Sequence, residues 1–69
     1  MADLSVAGKE PSDLMTLEEV AERTKTSINT VRYWRHTGQG PKFARIGRRV
    51  MARRADVEAW IDAQFEEAS

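Results

Sequence analysis

Cysteine is absent from this chain, and histidine occurs once, at His36. Without thiolates or a second imidazole there is no disulfide framework and no ligand set for a structural zinc, so neither metal nor cofactor is expected. There is also no apolar run of about 18 residues to cross a bilayer, which excludes the membrane as a partner. The N-terminus lacks the basic-then-apolar layout of a signal peptide, because Asp3 and Glu10 stand where that layout has no acids. Enzymatic signals are missing as well. The lone histidine lies among cations that would not help it activate a hydroxyl, and there is no phosphate-cradling glycine loop or carboxylate pair, so the chain reads as a non-enzyme.

The most informative absence is local. From Arg23 to Arg54 there is no Asp or Glu, while the same stretch holds ten Lys and Arg. Residues 1–22 carry six acids against one base, and residues 55–69 carry five acids and no base. A formal net charge of zero therefore conceals a dipolar chain whose middle attracts polyanions. At 69 residues it is one domain at most, near the lower limit for a core without staples.

Residues 1–14 show no sustained period and include Gly8, Pro11 and Ser12, so they read as a flexible arm ahead of a domain at 15–67. Met15 serves equally well as a start codon, in which case residues 1–14 are an extension. Thr16 and Glu19 have the spacing of a capping box, flanked by Met15 and Val20 at the staple positions. The helix they open places Leu17, Val20, Ala21 and Thr24 on one face and ends near Thr24. Lys25-Thr26 forms a tight connection, and Ser27 caps a second helix to about Thr37. Thr26, Val31 and Trp34 are expected to face the core, and Gly38 is the stop. Two short helices joined by so tight a turn have the helix-turn-helix layout.

After a turn at Gln39-Gly40-Pro41, Lys42–Ile46 and Arg49–Arg53 read as a hairpin about Gly47-Arg48, with glycine at the first central position. Alternation is expected to turn Ala44, Ile46, Val50 and Ala52 inward and Arg45, Arg49, Met51 and Arg53 outward. A third helix from Ala55 to about Glu67 has Asp56 and Glu58 near its start and an apolar stripe of Val57, Trp60, Ile61 and Phe65. Trp34 and Trp60 read as core residues. The architecture expected is mainly α with a small β-hairpin wing, a winged helix-turn-helix.

The cationic middle then acquires a chemistry. A helix fits the major groove, where Asn29 can bond adenine and arginines can bond guanine. Ile28, Asn29, Arg32, Tyr33, Arg35 and His36 are expected to face away from Val31 and Trp34. Ser27, Thr30 and the amides at the helix start suit a phosphate oxygen. Arg45, Arg48, Arg49 and Arg53 lie within nine residues on the narrow hairpin, a composition suited to a minor groove. Each group also has a plainer role: Asn29 in local backbone bonding, Tyr33 over the core edge, His36 as a helix-dipole partner and the arginines as edge protection.

The run from Thr16 to Ile61 resembles the small winged helix-turn-helix proteins of the excisionase family, related to regulators of the mercury-resistance type. The resemblance is carried by Glu-Val-Ala in the first helix, Thr-Val-Arg-Tyr-Trp in the second, the glycine at 38, Ile-Gly-Arg-Arg-Val in the wing and Asp-Val-Glu-Ala-Trp in the last helix. It implies double-stranded DNA as the partner, with the second helix in the major groove, the wing in the adjacent minor groove, and Arg32-Tyr33 on phosphates. It further implies a phage or mobile-element recombination directionality factor. Such a protein binds tandem sites beside copies of itself, bends DNA and directs an integrase toward excision in the cytoplasm of a bacterial host, at the nucleoid. The alternatives are a small transcriptional regulator of a mobile element and a protein-interaction module with a basic face. The chain departs from the resemblance in lacking the regulators' long coiled coil and in having Ala52 where many relatives have tyrosine.

Overall fold

The computed structural model describes residues 13–68. Six elements follow in order among these residues: β1 (Leu14–Thr16), α1 (Leu17–Thr24), α2 (Ile28–Thr37), β2 (Phe43–Ile46), β3 (Arg49–Arg53) and α3 (Arg54–Ala68). Three helices pack with a three-stranded antiparallel sheet of order β1-β3-β2, and the architecture is a mainly α winged helix-turn-helix. The arm expected over residues 1–14 lies outside the described residues except at its end, where Leu14 already belongs to the sheet.

Local chemistry accounts for both helices of the motif. Thr16 Oγ1 accepts the Glu19 amide at 3.1 Å, while the Thr16 amide donates to Glu19 Oε1 at 2.8 Å, which completes the capping box. Lys25 ends α1 in the left-handed region at φ 61°, and the Thr26 amide returns to the Ala21 carbonyl at 2.9 Å. Thr24 Oγ1 donates to the Val20 carbonyl at 2.8 Å and lies 2.9 Å from Thr26 Oγ1, so side chains as well as backbone hold the turn closed. Thr26, expected in the core, is half-buried in this role. Ser27 Oγ then caps α2 by accepting the Thr30 amide at 3.2 Å. Gly38, at φ 77°, ends that helix with its amide on the Trp34 carbonyl.

The core is small and receives side chains from five elements. Met15 of β1, Val20 and Ala21 of α1, Val31 of α2, Ala52 of β3 and Val57 of α3 form it, with Leu17, Trp34, Phe43 and Ile61 packed against it. Val20, Val31 and Val57 are fully buried. Ala52 stands opposite both Met15 and Phe43 in the sheet, so two larger neighbours flank this small buried residue.

Register corrects the expected facing of the hairpin. Ile46 pairs with Arg49 across the two-residue turn, which makes Ala44 the partner of Met51 and Arg45 the partner of Val50. Directly opposed residues share a face and successive residues alternate, so Phe43 and Arg45 lie on the side of Val50 and Ala52. Ala44 and Ile46 lie on the other side, with Arg49, Met51 and Arg53, and both are exposed. The inward residue of β2 is therefore Phe43, while Arg45, on the same face, reaches past the end of the core and is exposed. Gly47 supplies the positive φ of 63° at the first central position of the turn, as the sequence predicts.

The stripe on α3 also ends earlier than expected. Val57 is buried and Trp60 and Ile61 are half-buried, but Phe65 is 73% exposed. At about 1.5 Å rise per residue, the 15 residues of α3 extend nearly twice as far as the eight of α1. The buried part of α3 thus lies toward its start, and Phe65 is largely exposed. Trp60 rests mainly on Trp34, with ring centroids 4.8 Å apart and planes tilted by 52°.

Candidate nucleic-acid interface

With Val31 buried and Trp34 half-buried, α2 turns Asn29, Arg32, Tyr33 and His36 outward, and Arg35 is exposed nearer the hairpin side. Tyr33 is 58% exposed and therefore does not close over the core. Asn29 makes no side-chain hydrogen bond among the described residues, so its amide is not consumed by the local backbone. Ile28 is half-buried rather than fully outward, and belongs to the shoulder between α2 and the body. Thr30 is also half-buried, and its hydroxyl lies 3.0 Å from Ser27 Oγ, so this pair is engaged in the helix cap.

The basic block divides into two parts in space. Arg23 donates from Nε to Glu58 Oε2 at 2.7 Å and from its Nη2 to Glu58 Oε1, a bidentate bridge from α1 to α3. The hydrogen bonds to Arg23 hold the Glu58 carboxyl below its ordinary range, and the same contact raises the guanidinium pKa. Arg54 adds a favourable charge near Glu58. Setting Arg23 and Arg54 aside leaves Lys25, Arg32, Arg35, Lys42, Arg45, Arg48, Arg49 and Arg53, which make no ion pair among the described residues. These eight lie on the helix-turn-helix and the hairpin.

The wing arginines surround the hairpin. Arg48 is in its turn, Arg49 and Arg53 share one face, and Arg45 takes the other, toward the end of α2. There Arg45 joins Arg35, Gln39 and Lys42 around an open cleft floored by Trp34 and Phe43. In the sequence Lys42 reads only as the first residue of a strand, whereas it precedes β2 in the structure. Its place in the acid-free block was the available signal, but the cleft itself depends on how β2 folds back beside α2. No three histidine or acidic side chains gather as a metal site among the described residues, and no helix there is long and apolar enough to cross a membrane.

A protein that presents an uncompensated cationic helix beside an arginine-tipped hairpin belongs among DNA-binding winged helices. The chain is a member of the helix-turn-helix domain family, whose model matches residues 14–64, from the first strand through most of α3. This family includes excisionase-like DNA-binding proteins, and membership supports sequence-specific DNA binding. No curated protein and no solved structure matches the chain.

Proposed function

We propose that this chain binds duplex DNA with α2 in the major groove and the β2–β3 hairpin at the adjacent minor groove, and that it acts as a recombination directionality factor. The observation that carries the binding mode is the set of eight cations that make no ion pair among the described residues, six of them on those two elements, with Lys25 and Lys42 in the adjoining turns. Asn29 is assigned to a base edge, Arg32 and Tyr33 to phosphates, Arg35 to the DNA strand beside the last turn of α2, and Ser27 and Thr30 to the backbone contact at the start of α2. His36 extends the α2 face, and Ile28 packs at its shoulder. Arg45, Arg48, Arg49 and Arg53 serve the wing, with a narrow minor groove favouring guanidinium insertion.

The directionality role rests on the resemblance of the helix-turn-helix, wing and α3 motifs, and on the separation of charge. Acids Asp62, Glu66 and Glu67 sit on α3 while the cations sit on the DNA side. Neighbouring copies bound to tandem sites can then meet head to tail, bend the DNA and favour an integrase in its excisive arrangement. Footprints on one, two and three adjacent sites, combined with sedimentation of the free protein, test this reading. A free monomer with higher affinity for adjacent sites is expected. A stable free dimer, or equal affinity for isolated and adjacent sites, would support a transcriptional regulator instead. Tight protein binding with no DNA shift would support the interaction module.

A further inference from the structure

The cleft between the last turn of α2 and β2 has a volume of about 330 Å³ and takes its cations from three segments. Arg35 comes from α2, Lys42 from the loop before the hairpin, and Arg45 from the inner face of β2. Gln39 adds an amide, and among the described residues no carboxylate lines the cleft. Arg35, Lys42 and Arg45 have no ion pair or hydrogen bond among the described residues. Three like charges converging over an aromatic floor repel one another and concentrate a positive field, which a bound anion relieves. An Arg fork and a Lys point charge together match the oxygens of a phosphate.

The cleft's position identifies the source of that phosphate. One sugar–phosphate strand separates a major groove from the minor groove beside it. If α2 occupies the first and the hairpin reaches the second, that strand must pass between them. We propose that Lys42 and Gln39, with Arg35 and Arg45, form a clamp for a backbone phosphodiester of this strand. The clamp rests on the DNA-binding reading and adds two contacts, Lys42 and Gln39, outside the recognition helix and the wing tip. Because it grips backbone, it sets the angle between helix and wing on DNA and leaves sequence preference to other residues.

The test uses the full chain and a duplex to which it binds. Lys42→Met keeps the stem and removes the charge at an exposed position. It should reduce the magnitude of the log–log salt slope by about 0.9, the share of one phosphate contact, with similar affinity loss on every sequence. Gln39→Ala should weaken binding without changing the slope. In parallel, uncharged methylphosphonate linkages are scanned along the duplex. One linkage between the two grooves should weaken the wild type and leave Lys42→Met insensitive. Unchanged slope and no such linkage, in a wild type that binds DNA, would overturn the clamp and leave the DNA-binding reading standing. Failure of the wild type to bind any duplex would overturn both. Saturation of the cleft by inorganic phosphate, with no linkage effect on DNA, would reassign it to a free anion and likewise overturn the clamp.

Discussion

Gly40→Ala should be among the most damaging small substitutions in this domain, and Gly38→Ala, two residues away, is its internal control. Both glycines have positive φ, 78° and 77°. A left-handed alanine costs about 1–2 kcal/mol, partly offset by about 0.4–1 kcal/mol from its less flexible unfolded chain. The positions differ in what surrounds them. A Cβ at Gly38 meets nothing within 4 Å, whereas one at Gly40 lies 2.9 Å from Trp34 Cβ and 3.0 Å from its Cδ2 and Cε3. Carbon atoms prefer about 3.5–4.0 Å, so something must move. Trp34 has little room to yield, because its Cβ is tied to the α2 backbone and its ring rests on Trp60. Overpacking of this kind costs about 1–3 kcal/mol. Gly40→Ala should therefore lose about 2–4 kcal/mol, and Gly38→Ala about 1 kcal/mol or less. So small a core seldom supplies more than about 3–5 kcal/mol, which puts the Gly40 variant near the edge of folding. Urea unfolding followed by tryptophan fluorescence is a direct assay, since both indoles sit at the contact. Equal losses at the two positions would refute the argument from the Trp34 contact.

Four further expectations follow from the same geometry. Of the eight cations without an ion pair among the described residues, about five to seven reaching phosphates would give a log–log salt slope of roughly −5 to −6, and a slope near zero would remove the block from the DNA. Arg32→Ala and Tyr33→Phe should weaken binding on every sequence, whereas Asn29→Ala should cost about 1–3 kcal/mol at one base position only; competition against a panel of mutated sites separates the two patterns. Trp60→Ala should cost about 3–5 kcal/mol by uncovering Trp34, while Phe65→Ala should change stability by about 0.5 kcal/mol or less; thermal melts that show the reverse order would contradict the packing of α3. The Glu58 carboxyl is held below its ordinary range by Arg23, so the bridge's stabilisation is fully present above the unfolded carboxylate pKa and lost as pH falls through the depressed one. Wild type and Glu58→Gln should thus differ slightly in urea midpoint near neutral pH and converge in acid, and a gap that widens in acid would contradict the assignment.

The features legible in the chain alone are those made by neighbours in sequence. Thr16 with Glu19, Ser27 with Thr30, and Gly38 after Trp34 act across three or four residues, so local hydrogen bonding places the starts and stops of α1 and α2. The Gly47-Arg48 turn is local in the same way, and the acid-free stretch from Arg23 to Arg54 is visible without any fold. Tertiary structure decided what depends on a partner distant in sequence. Leu14–Thr16 is too short to show a period and becomes a strand only because β3 offers it an edge. Which side of β2 faces inward followed from pairing across the turn, since a period of two shows that residues alternate but not which set lies inside. Phe65 continues the helical stripe in sequence, yet it stays largely exposed. Arg23 and Glu58 are 35 residues apart, and their bridge withdraws one arginine from a block that composition alone presents as uniform. Arg35, Lys42 and Arg45 likewise become one site only when the hairpin folds back beside α2, because charge is a property of residues but convergence of charge is a property of the fold.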